Sequence, residues 1–374
     1  MRFPYKGDWH KRKLNEICLF FKGNGLSKSD LSNEGFPCIL YGELYTTYKN
    51  EVISDIVSKT TTTLSNPFLS KNNDLIIPGS GEDPIDIAVA RAIYQNDIIL
   101  GGDLNVLRPK SNVSAAFLSY QLNGVRRYDI AKKAQGKSIV HLHNSNLKEV
   151  CVSIPTYDEQ LHIVELLTKI DEMIDAQIKI IDTLLSEINS IRSLIFNKSS
   201  LKWIPLKDIV AEQDIKLKRG KVIPKHKKNL KYIYPVYSSS ITNSGLMGYS
   251  DSYMFNQELI TWSIDGGGNF FYRKKHKFNI TNVSGYMILN ENLFNYQFIV
   301  QSLIWQHEKL KFDYQTKAHP SVVESLYKIP IMDLEEQHKY ACLFSNLNEK
   351  YELELHTLDL LNMQKKYLLK NMFV

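Results

Sequence analysis

The chain has 374 residues, which at roughly 100–200 residues per domain implies two or three domains rather than one small core. With 43% hydrophobic and 23% charged residues its usage is ordinary, which excludes global disorder, a collagen-like repeat and a disulfide-dense secreted scaffold. Basic residues exceed acidic ones by 46 to 40, and a net charge of +6 permits a polyanionic partner without requiring one.

The first residues, MRFPYKGDWHKRKL, hold no apolar run before a cleavage site, and no stretch of 18 apolar residues follows, so a cytoplasmic chain without a membrane span is expected. Cys18, Cys38, Cys151 and Cys342 lie far apart with no CxxC pair and read as buried free thiols. Phe21-Lys22-Gly23-Asn24-Gly25 has the FxGxG spacing of a methyltransferase cofactor loop, but Asn66-Pro67-Phe68 lacks the second proline of the companion catalytic string. The glycines there read as an ordinary turn. Leu75-Ile76-Ile77-Pro78-Gly79 has strand-and-turn grammar, and Ala115 to Leu122 is a helical window. Arg126, Arg127, Lys132, Lys133 and Lys137 form a first basic segment beside Gln135-Gly136-Lys137-Ser138, whose groups suit base edges. His141-x-His143 lacks an evident third ligand and reads as a polar loop pair, not a metal site.

After the apolar run Val150 to Ile154 and Pro155, residues 158–197 contain neither proline nor glycine, and apolar positions recur every three or four residues. This spacing predicts an amphipathic helix of about 40 residues, a rod on the order of 60 Å. The chain then repeats its grammar: Trp9 with Leu14-Asn15-Glu16-Ile17 is matched by Trp203 with Leu206-Lys207-Asp208-Ile209. Residues 216–231 carry eight Lys or Arg and no acid, which fits either phosphate neutralisation or a solvated loop. Leu259 to Trp262 reads as a strand, Gly266-Gly267-Gly268 as a hairpin turn or a place of close ligand approach, and Arg273 to Lys277 as another basic cluster. Phe294 to Lys309 is a helical window, and Gln315-Thr316-Lys317-Ala318-His319 stands where the earlier Gln-Gly string stood. From the Glu-Gln pair onward the second half repeats the first at an offset of 177, with Ile163, Leu167, Ile170 and Ile174 matched by Tyr340, Phe344, Leu347 and Tyr351. Ile188 against Lys365 breaks the match. Pro155 and Pro330 are expected to stop the preceding strands, and the two striped helices to pair with each other. No GxxxxGK[ST] phosphate loop or magnesium-nuclease pattern is present.

Together these strings resemble the DNA specificity subunits of type I restriction-modification systems over nearly the whole chain. The carriers are AQGKSIVHLHNSNLKEVCVSIPTYDEQLHIVELLTKID, its looser copy YQTKAHPSVVESLYKIPIMDLEEQHKYACLFSNLNEK, Tyr41-Gly42-Glu43-Leu44-Tyr45, Gly101 to Pro109 and Thr261 to Gly266. Thr156-Tyr157 and Ile331-Met332 depart from the pattern where a second proline is usual, as does Gln315-Thr316 from Gln-Gly. The expected fold is α+β: two strand-rich target-recognition domains, 1–152 and 199–328, with long helices in 153–198 and 329–374 pairing as an antiparallel, coiled-coil-like spacer in a pseudo-two-fold repeat. The resemblance implies a non-catalytic subunit in which each domain reads one half of a bipartite, asymmetric duplex target. Two methylation subunits would dock on the helices through Glu159, Gln160, Glu336 and Gln337, and restriction subunits could join them. No cofactor or metal is expected in this chain; S-adenosylmethionine, ATP and Mg belong to the partners. Residues expected at DNA are Lys28, Tyr41, Tyr45, Ser80, Arg126, Arg127, Lys137, Ser138 and His141 in the first domain. In the second they are Lys216, Lys218, Arg219, Lys225, Ser238, Ser239, Arg273, Lys274, Lys317 and His319. Two alternatives stand beside this: a standalone methyltransferase or nuclease, resting on Phe21 to Gly25, and a helical assembly scaffold that does not touch DNA.

Overall fold

The computed structural model describes residues 8–240, 242–265, 267–310 and 317–373. Two compact units emerge, Met1–Ile178 with His356–Val374, and Lys179–Leu355. This differs from the expected boundaries, because each long helix is shared. A half-helix buries apolar residues on the globule beside it, so each half packs into the core of its own unit.

In the first unit β1 (Cys18–Lys22), β2 (Val52–Ile53), β3 (Asp74–Pro78), β4 (Arg91–Ile93) and β5 (Leu104–Pro109) form a sheet in the order β1-β5-β3-β4-β2. All neighbours are antiparallel except the parallel pair β4/β2. Helix α1 (Ala115–Asn123) covers one face, with Ala115, Ala116, Leu118 and Leu122 in the core. The glycine string Phe21 to Gly25 ends β1 in a turn in which the Asn24 side chain donates to Asn66 O and accepts from the Phe68 amide. Cys18 and Cys38 are buried as expected, but Cys151 and Cys342 are exposed.

Helix α2 spans Tyr157–Phe196 and links the units. In the second unit β6 (Ile215–Arg219), β7 (Tyr234–Tyr237), β8 (Leu246–Ser250), β9 (Phe255–Ser263), β10 (Phe270–Ile280) and β11 (Ser284–Leu289) follow the order β6-β11-β9-β10-β7-β8. Only β7/β10 is parallel. Without the added β8 this is the sheet of the first unit, strand for strand and direction for direction, although beyond the shared openings the sequences have diverged. The turn between β9 and β10 uses Gly267 and Gly268 at φ +83° and +77°, values that L side chains avoid. Helix α3 (Tyr296–Lys309) takes the place of α1, and α4 (Leu334–Asn371) closes the chain.

In each unit the opening strand pairs with the closing one: His10–Lys13 with Cys151–Ile154, and Lys202–Pro205 with Lys328–Ile331. Pro155 follows its strand, whereas Pro330 lies within one, opposite Trp203. That corrects the expectation that both prolines stop strands; a two-stranded ribbon leaves one edge unpaired, where a missing N–H is harmless.

The first stripe is largely buried, with Ile178 41% exposed, whereas the second is buried at Phe344, Leu368 and Met372 and half-buried between them. In the first unit Ile163, Leu167, Ile170 and Ile174 of α2 pack with Phe117, Tyr120, Leu368, Met372 and Phe373. Phe373 meets Trp9, whose indole donates to Glu159 at the start of α2, while Lys365 meets Asp171 further along, so the helices run antiparallel. In the second unit Ile195 and Phe196 share a core with Ala341 and Phe344, and Lys198 Nζ donates to Tyr340 Oη at 3.0 Å. Lys365, the break in the stripe, has Nζ 2.6 Å from both Glu51 Oε2 and Asp171 Oδ1, and Tyr120 Oη donates to Asp171 Oδ2 at 2.7 Å. Burial lowers the Lys365 pKa, but the two carboxylates outweigh it and leave the ammonium above its ordinary value.

Candidate nucleic-acid interface

Beyond β3 the backbone Ser80–Gly81 pairs with Val140–His141, which pairs with Gln135–Gly136. This ribbon brings the Gln-Gly string to the end of the sheet, with Lys137, Ser138 and His141 exposed. Gly136 sits at φ +134°, and a Cβ there would lie 2.0 Å from Ile139 O, so the string needs its glycine to close the turn. Lys28 and Tyr41 line a cavity of about 780 Å³ with Glu43, Thr46 and Asp103. Tyr45 is half-buried with its hydroxyl against Gly81.

Of the other expected DNA contacts in this unit, Ser80 is withdrawn into the fold, while Arg126 and Arg127 are half-buried and make contacts within the chain. Ser80 is 5% exposed and its hydroxyl donates to Asp103 Oδ2 at 3.1 Å, so it holds the loop and is not presented outward. Half-buried Arg127 donates to Ile85 O at 3.1 Å, and half-buried Arg126 lies 3.5 Å from Asp129.

In the second unit the edge strand β6 exposes Lys216, Lys218 and Arg219, the last donating twice to Asn282 O. Lys225 is exposed on the following loop, which His226 and Tyr249 hold by paired backbone bonds. Ser238 and Ser239 are half-buried: the Ser238 hydroxyl accepts from Thr281 and the Ser239 carbonyl from Ser263. Arg273 is corrected from a DNA contact to a buried brace, being 5% exposed. Its guanidinium stacks 3.8 Å from the Tyr237 ring centroid, with Nε donating to Thr261 Oγ1 and Nη2 to Ser244 O. Burial pulls its pKa down to about 10, with Tyr237 opposing. It holds a loop whose Asn243, Ser244 and Gly245 all have positive φ. Lys274 is exposed and pairs with Glu349 at 3.0 Å, Lys317 is exposed and pairs with Asp265 at 3.2 Å, and half-buried His319 starts the short helix Pro320–Leu326. Gly266, Gln315 and Thr316 lie outside the described residues.

Three of the four expected docking residues are also corrected. Gln160 is fully buried: its Nε2 donates to Asn112 O and Pro155 O, and its Oε1 accepts from Ser114 N, the N-cap of α1. Gln337 repeats this on Leu293 O, Met332 O and the amide of Asn295, the N-cap of α3. Glu159 is buried against the Trp9 indole, and Glu336 remains exposed. The repeated Glu-Gln string therefore fastens each long helix to its own globule, through the buried carboxamide of its Gln and the backbone groups it binds. The spacing agrees with this: Gln160 and Gln337 stand three residues before Ile163 and Tyr340, the first positions of the stripes, and so on the same helix face.

Among the described residues no group of three or more His, Cys, Asp or Glu is placed to hold a metal ion, and no helix is long and apolar enough to cross a membrane.

Comparison with known proteins agrees with the duplicated architecture. The family model for the type I restriction modification DNA specificity domain matches twice, over residues 6–187 and 202–363. The type I specificity subunit S.MpnORF285P of Mycoplasma pneumoniae is 34% identical over 115 residues, which are 28% of this chain and 36% of that protein. The chain thus matches little more than a third of that relative's length. The crystal structure of a type I restriction-modification S subunit from M. genitalium superposes with a TM-score of 0.70 at 18% identity, covering 100% of this chain and 98% of that one. A chain from a structural study of complex assembly and conformational transition in a type I system superposes at 0.56, with 12% identity and 98% of both chains covered. With the family model matching nearly all of both halves, the chain belongs to the type I restriction-modification DNA specificity family.

Proposed function

We propose that the chain is the specificity subunit of a type I restriction-modification complex and reads a bipartite duplex DNA target, one half with each unit. The observation that carries this is one sheet topology built twice under two different sets of exposed tips. A common frame with different tips suits the reading of two different half-sites by one mode of approach. Exposed lysines on β6 and in the following loop would neutralise phosphates, and the polar tips at the ends of the sheets would meet base edges. The chain itself would be non-catalytic and act in the cytoplasm, with S-adenosylmethionine, ATP and Mg held by methylation and restriction subunits. Two methylation subunits would dock on outward faces of the long helices, where Met173, Leu194, Met363 and Tyr367 are 54–72% exposed.

The test is competition of the purified chain, with its methylation subunits, for duplexes of random sequence across a salt series. Enrichment of a two-part motif, with affinity falling steeply as salt rises, supports the function; equal retention of all sequences overturns it.

A further inference from the structure

The two units can be matched by backbone hydrogen bonds where their sequences no longer align. The Leu142 amide donates to Gly79 O at 2.9 Å, and the Ala318 amide to Ile264 O at 2.9 Å. The Gly79 amide donates to Asp103 O, and the Ile264 amide to Val283 O. The Leu142 carbonyl accepts from Asn105 Nδ2 at 2.7 Å, the Ala318 carbonyl from Trp262 Nε1 at 2.8 Å. That change of donor is compensated across the sheet. Ile77 stands opposite Asn105, and Trp262 stands opposite Gly285, where a Cβ would lie 2.1 Å from the indole. His143 and His319 then occupy the N-caps of the short helices Asn144–Lys148 and Pro320–Leu326. In this register Lys317 corresponds to His141 and Asp265 to Ser80. The string comparison, which set Gln315-Thr316-Lys317 beside Gln135-Gly136-Lys137, is displaced by four residues.

We infer that His141 and Lys317 are the corresponding sequence-reading positions of the two units, and that their different chemistry makes the half-sites different. The inference rests on the DNA-reading function proposed above. Both side chains are exposed, and each sits on backbone clamped immediately after it by the bonds just described, so the tips are held while their chemistry varies. Lys317 Nζ lies 3.2 Å from Asp265 Oδ1, which sets a donor beside an acceptor. That pair complements the major-groove edge of a G·C base pair, where guanine O6 and N7 accept and cytosine N4 donates. His141 stands instead opposite the neutral Ser80, with its ring parallel to that of His143 at 6.0 Å, and presents an imidazole where the other tip presents an ion pair. The first tip therefore carries no fixed ion pair and would select a different base.

The experiment is selection from a randomised duplex pool by the full chain with its methylation subunits, followed by sequencing, for the parent, His141→Ala, Lys317→Ala and Lys317→Gln. Discrimination should fall about tenfold at a G·C position in one part of the motif for both Lys317 variants, and in the other part for His141→Ala. Retention of the parent motif by every variant, while the parent is selective, overturns the assignment and leaves the DNA-reading function standing. So does loss in both parts from one substitution. A parent that selects nothing overturns the function and this inference with it.

Discussion

Replacing Lys365 by methionine tests the exception in the helix stripe. The substitution keeps an unbranched side chain, one atom shorter, and removes the cation, leaving Asp171 and Glu51, 4% and 5% exposed, without it. Breaking a buried ion pair from one side costs about 3–5 kcal/mol, a large share of the ~5–15 kcal/mol that holds a domain folded. Guanidinium unfolding followed by hydrogen exchange with mass spectrometry should place the loss in the first unit, in α1, the early part of α2 and the end of α4. The deficit should also depend on pH. Burial raises the pKa of the Asp171 carboxyl above its ordinary 3.8, with Lys365 opposing, and removal of the ammonium raises it further. A carboxyl whose folded pKa exceeds its unfolded one favours the folded state when protonated and loses that advantage as pH rises through the folded value. The variant should therefore be worst at neutral pH and recover towards the parent as pH falls from neutrality towards the ordinary carboxyl value of 3.8. Lys365→Ile with Asp171→Asn, which copies Ile188 and Asn348 of the other repeat, should be more stable than Lys365→Ile alone. A deficit under about 1 kcal/mol, or one independent of pH, would refute the reasoning.

Other consequences are as direct. Gln160→Ala and Gln337→Ala each strip partners from three backbone groups and should cost roughly 1–3 kcal/mol in their own units, more for Gln160, two of whose bonds are buried, measured by the same unfolding assay. If they lowered only methylation-subunit binding, with stability intact, the docking role expected from sequence would be restored. Gly285→Ala puts a methyl 2.1 Å from the Trp262 ring and should destabilise the second unit, read as an early shift in tryptophan fluorescence on heating; an unchanged melt would contradict the packing. Thiol titration of the native chain should show Cys151 and Cys342 reacting at once, with Cys18 and Cys38 protected until unfolding. Burial pushes the latter pair up to about 12 and about 11.

The duplication, the two long helices and the faces they bury were legible in the sequence, because helix periodicity and a repeated Pro-to-Gln string are local patterns that survive divergence. Ala115 to Leu122 and Phe294 to Lys309 were legible as helices for the same reason. What the residues at the helix starts bind was not: Gln160 and Gln337 fall on the face of the stripe, but only the tertiary structure brings the N-cap amides of α1 and α3 to them. Arg273, one basic residue in a basic run, is separated from Lys274 by strand alternation, which sends one inward to Tyr237 and the other out. The shared sheet lay beyond sequence reading because strand order depends on pairs of residues far apart in the chain. For that reason the bare arithmetic of 374 residues and +6 allowed two domains and a polyanion, while tertiary structure decided that each domain owns half of each helix and which exposed residue in one unit stands for which in the other.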